Sequence, residues 1–329
     1  MRVAVLGGGR SSEHDVSLRS AASVQEGLAA AGHEVVAVQI ERDGRWRHDG
    51  ADVALVPGEP LLGADVVFPV LHGPYGEDGS VQGLLDTLGT PYVGAGVLAS
   101  AVCMDKLTFK RLMGAAGIPQ VGYVAVLQHE WDADRDAVLA AAGGLARPAF
   151  VKPSRLGSSV GIVRVAEPSE LEAAIETALR HDPRVIVEAF ADGLEVECSV
   201  LGNDDPVVST PGEIVVKAAS GWYDYEAKYS PGGMELVVPA RISAAARARV
   251  QAVAAQAFAA AGVAGMARVD CFVRGEEVLV SEVNTIPGFT ATSVFGKLFA
   301  ESGIPYPDLL DRLVALAVER HAAESAHAF

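Results

Sequence analysis

The sequence predicts an α/β chain that turns into α+β: an N-terminal open parallel sheet, then a small unit with a mostly antiparallel sheet and a larger α+β unit. Three observations carry this. Short apolar runs alternate with helical periodicity through the first third, the pattern of strands joined by crossover helices. Short strands around one striped helix fill the middle of the chain. Further on, residues 194–200 alternate apolar and polar side chains, as a half-buried strand does, and 271–280 is alternating and apolar around a turn.

The elements follow in order. Residues 3–6 form a first strand, and Gly7-Gly8-Gly9 turns the chain. Ser12-Glu13-His14-Asp15 has the capping-box pattern that opens a helix. Val16, Ser20, Val24 and Leu28 stripe that helix, and Gly32 closes it. Residues 34–40 and 66–71 are strands, 79–88 a helix, and Tyr92-Val93 begins another strand. A helix over 104–116 stops at Gly117 with Pro119 beyond. Strands at 123–127, 150–152, 162–165 and 184–190 make a small antiparallel sheet, its helix striped by Leu171, Ile175 and Leu179. A second capping box is expected at Ser169-Glu170-Leu171-Glu172. From residue 188 a larger α+β unit begins, with Leu194, Val196, Cys198 and Val200 facing its core. Residues 217–233 have no period and are dense in Gly, Pro and aromatics, which reads as a long ordered loop of the lid or binding kind. The tail after Arg320 is expected to fray.

With 329 residues, half of them hydrophobic, the chain is long enough for two or three cores. A formal charge of −16 argues against nucleic acid or an anionic membrane as partner, because both need a basic patch. Cys103, Cys198 and Cys271 form no Cys-x-x-Cys pair and sit among apolar residues, the setting of buried reduced thiols. The first apolar run is too short for a signal peptide, and the Ala-rich stretch 251–267 is amphipathic rather than membrane-spanning. A soluble cytoplasmic protein is the expectation.

The strongest chemical signal is Arg268-Val269-Asp270 followed by Glu282-Val283-Asn284. Within each trio the outer residues share one strand face. A hairpin turning at residues 274–277 with an odd-length loop would set Asp270 opposite Glu282 and Arg268 opposite Asn284. Opposed carboxylates are unfavourable unless compensated, and a hard divalent cation such as magnesium compensates them. A solvated polar face is the plainer alternative. Lys152-Pro153-Ser154-Arg155-Leu156-Gly157-Ser158-Ser159-Val160-Gly161 lies between two strands and suits phosphate, or is an ordinary glycine-rich hairpin. It is no Walker A loop, and Gly7-Gly8-Gly9 lacks the full dinucleotide fingerprint. Lys106 and Lys152 stand alone on apolar elements, either snorkelling outward or reaching inward to phosphate. Glu188 and Glu195 bracket Phe190-Ala191-Asp192-Gly193, a strand end and a turn.

These pieces, in this order, resemble the D-alanine–D-alanine ligase family of the ATP-grasp superfamily. The resemblance is carried by Gly8-Gly9-Arg10-Ser11-Ser12-Glu13-His14, Leu71-His72-Gly73-Pro74-Tyr75-Gly76-Glu77-Asp78-Gly79 and Met104-Asp105-Lys106. It continues through Val151-Lys152-Pro153-Ser154, Tyr223-Asp224-Tyr225-Glu226-Ala227-Lys228-Tyr229 and Glu282-Val283-Asn284-Thr285-Ile286-Pro287-Gly288-Phe289-Thr290. The six motifs stand in register, and the resemblance runs over residues 3–316.

The resemblance implies a pre-ATP-grasp domain at 1–102 that binds substrate, then ATP-grasp subdomains at 103–187 and 188–329 with a lid at 217–233. It implies that Lys106, Lys152, Ser158, Glu188, Phe190, Ala191, Glu195, Lys228 and Asn284 bind ATP, Glu195 on the ribose and Lys228 at the γ-phosphate. Asp270, Glu282 and Asn284 would hold two magnesium ions, with manganese as a substitute. Glu13 would meet the first D-alanine's ammonium and form a triad with Ser158 and Tyr229; His72 would lie near that substrate's carboxylate. Arg268 and the Gly288 N–H would stabilise an oxyanion, and Ser293 would take the second carboxylate. The implied reaction makes D-alanyl-D-alanine through an acyl phosphate, for peptidoglycan precursors, in a cytoplasmic homodimer. Tyr229 favours an amine as second substrate, whereas Thr292-Ser293-Val294-Phe295-Gly296 departs from the aromatic–Pro pair common in that pocket. D-lactate, D-serine or another amino acid is the nearest alternative. A non-catalytic nucleotide sensor and an NAD-dependent dehydrogenase are the others.

Overall fold

The computed structural model describes residues 1–157, 160–217, 233–290 and 292–327. Its first sheet has the order β4-β3-β2-β1-β5, from β1 (Arg2–Gly8), β2 (Glu34–Ile40), β3 (Trp46–His48), β4 (Ala51–Asp52) and β5 (Val66–Pro69). Strand β1 pairs in parallel with β2 on one side and β5 on the other. The predicted parallel sheet is therefore there, but its far edge is an antiparallel hairpin, β3 on β2 and β4 on β3. Tyr92-Val93 contributes a single parallel bridge to Val67 and no strand, held short between Pro91 and Gly94.

Helix α1 (His14–Ala30) buries Val16, Ser20, Val24 and Leu28, the predicted stripe. The expected capping box at its start is not made. Glu13 occupies the N-cap without a side-chain cap, and its N–H donates instead to Ser11 Oγ. Helices α2 (Ser80–Leu88), α3 (Val97–Met104) and α4 (Lys106–Ala115) follow. The helix expected over 104–116 thus begins two residues later, because Asp105 is extended and its carboxylate caps α4 at the Thr108 N–H.

The middle sheet is antiparallel throughout, in the order β6-β9-β7-β8, from β6 (Tyr123–Leu127), β7 (Ala149–Pro153), β8 (Val163–Val165) and β9 (Arg184–Ala189). Helices α5 (Gln128–Ala133), α6 (Arg135–Gly143) and α7 (Leu171–Leu179) accompany it. Capping ahead of α7 sits earlier than expected, where Glu170 accepts from the Ala166 and Glu167 N–H groups around a 3-10 turn.

The third sheet runs β13-β12-β10-β14-β15, with β11 (Val207–Val208) on β10. Its strands are β10 (Leu194–Gly202), β12 (Gly212–Val216), β13 (Met234–Val237), β14 (Gly265–Arg274) and β15 (Glu277–Asn284), with α8 (Ala244–Ala260) over one face. Stretch 251–267 is therefore split at Gly262 (φ +65°) between helix and strand. Strand β10 corrects the half-buried reading: Glu197 and Ser199 are as buried as Val196 and Cys198.

Helices α9 (Val294–Glu301) and α10 (Tyr306–Ser325) complete the chain, and α10 continues well past Arg320, where fraying was expected. They share one core with the first sheet: Val3, Val5, Val66 and Phe68 pack with Phe289, Phe295, Leu309 and Leu313. Among the described residues no helix is long and apolar enough to cross a membrane. All three cysteines are free, and burial pushes the Cys103 and Cys198 thiols up to about 12.

Candidate active site

The first sheet reverses its strand order at β1, since the chain goes to β2 on one side and to β5 on the other. Ligands of open parallel sheets bind in the crevice beyond the strand ends at such a point. Glu13 follows β1 there and His72 follows β5, and both are buried. The two segments are tied together by Ser11 Oγ, which donates to the His72 carbonyl at 2.6 Å. Gly73 takes a left-handed φ of +71°, which favours glycine, and a Cβ there would stand 2.8 Å from a Glu13 carboxylate oxygen. Gly157, at the start of the glycine-rich loop, is also close, its Cβ position 3.3 Å from the same oxygen.

His72 links this crevice to the chain after β15. One ring nitrogen faces Ser20 Oγ at 3.3 Å and the other the Ile286 carbonyl at 3.2 Å. Burial lowers its pKa, outweighing the opposing pull of Glu13. Glu77 lies in the same cluster and accepts from the Gly73 N–H at 2.7 Å. Burial, reinforced by Glu13, pushes its carboxyl up to about 8.

A second constellation forms between the middle and third sheets. Both predicted lysines point inward, not to solvent: Lys106 Nζ donates to the Leu156 carbonyl at 2.8 Å, and Lys152 Nζ sits 2.5 Å from Glu188. Asp105 fixes this corner by capping α4 while pairing with Arg184 and accepting from Ser154. Glu188 also pairs with Lys110, at 2.6 Å. Burial alone would raise the Glu188 carboxyl, but the two ammonium groups outweigh it and hold it well below the usual carboxylate range. A cleft opens at the end of β9, lined by Ala189, Phe190, Ala191, Phe272 and Leu279 and by the polar side chains of Gln120, Asp192, Arg274 and Glu277. Its apolar side chains offer surface for a purine base, and its polar ones offer hydrogen-bond partners at the base's edge. Glu195 projects from β10 at the register of Phe272.

The third constellation is the hairpin β14–β15. Asp270 stands opposite Glu282 and Arg268 opposite Asn284, the predicted register. The predicted route to it was wrong. Arg274 pairs with Glu277, which leaves a two-residue loop led by Gly275 (φ +59°), and a bulge past Asp270 supplies the missing residue. On the other side Asp270 faces Glu197 of β10, so three carboxylates lie in one row across three strands. Arg268 answers them: its Nε lies 2.9 Å from Glu197, and Nε and Nη2 reach the two Asp270 oxygens at 2.8 and 2.7 Å. Asn284 donates to Asp270 at 3.1 Å.

This donor set fits a hard cation. Among the described residues no three His, Cys, Asp or Glu side chains make a closed metal centre. Asp270 and Glu282 supply two carboxylates, Asn284 an amide oxygen, and none supplies a soft ligand, so coordination positions are left for phosphate oxygens and water. Gly288 and Ser293 are neighbours, since a Cβ on Gly288 would meet Ser293 Oγ at 2.8 Å. Ser293 Oγ also lies 2.8 Å from Thr290 Oγ1.

Ser158, Lys228 and Tyr229 lie outside the described residues, as does most of the expected lid. The lid's two ends meet, the Lys217 N–H donating to the Gly233 carbonyl at 2.9 Å. Sequence reasoning missed Glu197, Lys110 and Glu77. Lys110 had a signal, lying one helical turn after Lys106 on the same face. Glu77 stood inside a quoted motif without a role, and Glu197 read as an outward residue of an alternating strand.

Comparison with known proteins agrees over nearly the whole chain. A family model described as "D-ala D-ala ligase C-terminus" matches residues 112–315, and one described as "D-ala D-ala ligase N-terminus" matches 2–60 and 56–95. A D-alanine–D-alanine ligase of Deinococcus radiodurans is 46% identical, covering 97% of this chain and 98% of its own. D-alanine–D-alanine ligase A of Mesorhizobium japonicum is 45% identical, covering 98% of each. Among solved structures, the D-alanine–D-alanine ligase of Coxiella burnetii superposes with TM-score 0.88 at 35% identity, covering 99% of this chain and 96% of that one. The VanG D-Ala:D-Ser ligase of Enterococcus faecalis superposes with TM-score 0.85 at 37% identity, covering 96% and 99%.

Proposed function

The chain belongs to the D-alanine–D-alanine ligase family, and from that premise we propose that it joins two D-alanines into a dipeptide at the expense of ATP, for peptidoglycan precursors. The observation that carries this reading is the row Glu197, Asp270 and Glu282 with Arg268 across it, at a site where phosphate and an oxyanion both need answering charge.

Glu13 holds the ammonium of the first D-alanine beside the neutral His72, and the carboxylate of that D-alanine is left pointing toward the nucleotide. An oxygen of that carboxylate attacks the γ-phosphorus, the bond to the β-phosphate oxygen breaks, and ADP departs with the electron pair. The acyl phosphate is then attacked at its carbonyl carbon by the second D-alanine's amine. The carbonyl oxygen becomes an oxyanion, stabilised by Arg268 and the Gly288 N–H. Collapse expels inorganic phosphate, which carries away the amine's proton as hydrogen phosphate. Positioning and charge neutralisation do most of the work in phosphoryl transfer. Lys106 and Lys152 supply charge to the phosphates, while the cleft by Phe190 and Ala191 takes adenine and Glu195 the ribose. Magnesium, two ions in this reading with manganese as a substitute, would be held by Asp270, Glu282 and Asn284 and would neutralise phosphate charge. Resemblance assigns Ser158 and Tyr229 to the triad with Glu13, and Lys228 to the γ-phosphate. Ser293, beside Gly288, takes the second carboxylate. We read the chain as domains 1–102, 103–187 and 188–329, working as a cytoplasmic homodimer.

Similarity to a D-Ala:D-Ser ligase favours one second reading, with D-serine as the second substrate. Phosphate release from ATP and magnesium, with products identified by mass, separates the two. D-alanine alone should yield D-alanyl-D-alanine; release that needs added D-serine moves the function to the second reading, and no release with D-alanine or D-serine refutes both.

A further inference from the structure

Glu188 is clamped between two lysines of unequal access. Lys110 Nζ is 2.6 Å from Oε1 and its side chain is 2% exposed; Lys152 Nζ is 2.5 Å from Oε2 and its side chain is 19% exposed. The three residues come from α4, β7 and β9, so the clamp forms only where those elements meet. Lys152 is the residue our reading gives to a nucleotide phosphate. A cation cannot serve a phosphate while it remains the sole partner of a buried carboxylate, because leaving would strand that charge in a medium of low polarity. Two lysines on one carboxylate resolve the conflict.

We propose that Lys110 is a positioning residue: by keeping Glu188 paired from the protein interior, it frees Lys152 to move onto a nucleotide phosphate. The proposal rests on the nucleotide reading of this cleft and adds a residue that has no contact with the ligand. Lys106 cannot substitute, since it donates to the Leu156 carbonyl, and Arg184 is taken by Asp105. A lysine that merely filled the core would support every ligand of the cleft alike. One that releases Lys152 supports only ligands with phosphates.

The test is ATP and adenosine affinity of the full chain, by calorimetry for ATP and by displacement of a fluorescent ATP analogue for adenosine. In Lys110→Met, ATP affinity should fall on the order of tenfold or more, the scale of an uncompensated buried charge, with adenosine affinity little changed. An equal loss for both ligands, or no loss for ATP, overturns the proposal. Should Lys110→Met fail to fold, Glu188→Gln and Glu188→Gln/Lys110→Met supply the answer without a stranded charge. The two must bind ATP alike, because Lys110 acts only through Glu188; markedly weaker binding by the double variant overturns the proposal. Failure of the wild-type chain to bind ATP would remove the nucleotide site itself, and the proposal with it.

Discussion

Replacing Arg268 with methionine preserves much of the side-chain volume and removes the charge. Its side chain is 15% exposed and stands against Glu197, which is fully buried, and Asp270, which is 8% exposed. Without the guanidinium, the carboxylates of Glu197 and Asp270 share one register, with Glu282 directly beyond. Breaking a buried pair from one side costs about 3–5 kcal/mol. At roughly 2–4 °C per kcal/mol for domains of this size, the melting temperature should fall on the order of 10 °C. Magnesium should restore part of that loss, because a cation bound only by the folded state stabilises it by mass action. The magnesium-induced rise in melting temperature should therefore be larger in the variant than in the wild type. Turnover should remain about 10²–10³ lower even at saturating magnesium, as when an oxyanion donor is removed. Differential scanning fluorimetry with and without magnesium reads the first effect, and phosphate release reads the second. An unchanged melting temperature would refute the charge argument, and near-normal turnover the oxyanion role.

Three further outcomes are expected. Glu197→Gln should leave ATP affinity near wild type while lowering turnover roughly 10²-fold, the cost of a misplaced Arg268; a parallel loss of ATP affinity would show that Glu197 acts elsewhere. Glu77, raised from 4.5 to about 8, stays protonated in the folded chain where the unfolded chain has lost the proton. Its contribution to stability is thus complete below about pH 4.5 and disappears as pH rises through 8. Melting temperatures between pH 5 and 8 should fall less steeply in Glu77→Gln, and identical slopes would contradict the assignment. Phe289 is buried edge-on against Phe68 and Phe295, with centroids at 5.6 and 5.4 Å, and joins the first sheet to α9. Phe289→Ala should cost about 3–5 kcal/mol in a denaturation measurement; a loss below about 1 kcal/mol would mean that this junction relaxes freely.

Much of the framework was legible from local pattern. Strands β2 and β6 fall on the predicted residues, because period-2 alternation and turn residues are properties of a few neighbours along the chain. The facing of Asp270 and Glu282 was legible too, since spacing by two sets which side chains share a face. Even there the bulge and the two-residue loop exchanged places with the expected odd loop, as parity alone does not distinguish them. The family motifs marked Glu13, His72, Lys106 and Lys152 and the ligand groups they would meet, but not their partners within the protein.

What periodicity cannot encode is what waits on the other side of a strand or helix. Alternation along β10 put Glu197 on the polar face, and only the pairing of β10 with β14 revealed that this face is closed over by Arg268. Lys110 gains its partner only where α4 lies across β9 and its ammonium meets Glu188. His72 reaches the Ile286 carbonyl across 214 residues of chain, and α10 covers a sheet whose first strand begins at Arg2. The sequence by itself determined strands such as β2 and β6, the shared face of Asp270 and Glu282, and the family's chemical groups. The tertiary structure decided which charges are buried together, because burial depends on contacts between segments far apart in the chain, and no local pattern carries the identity of a distant partner.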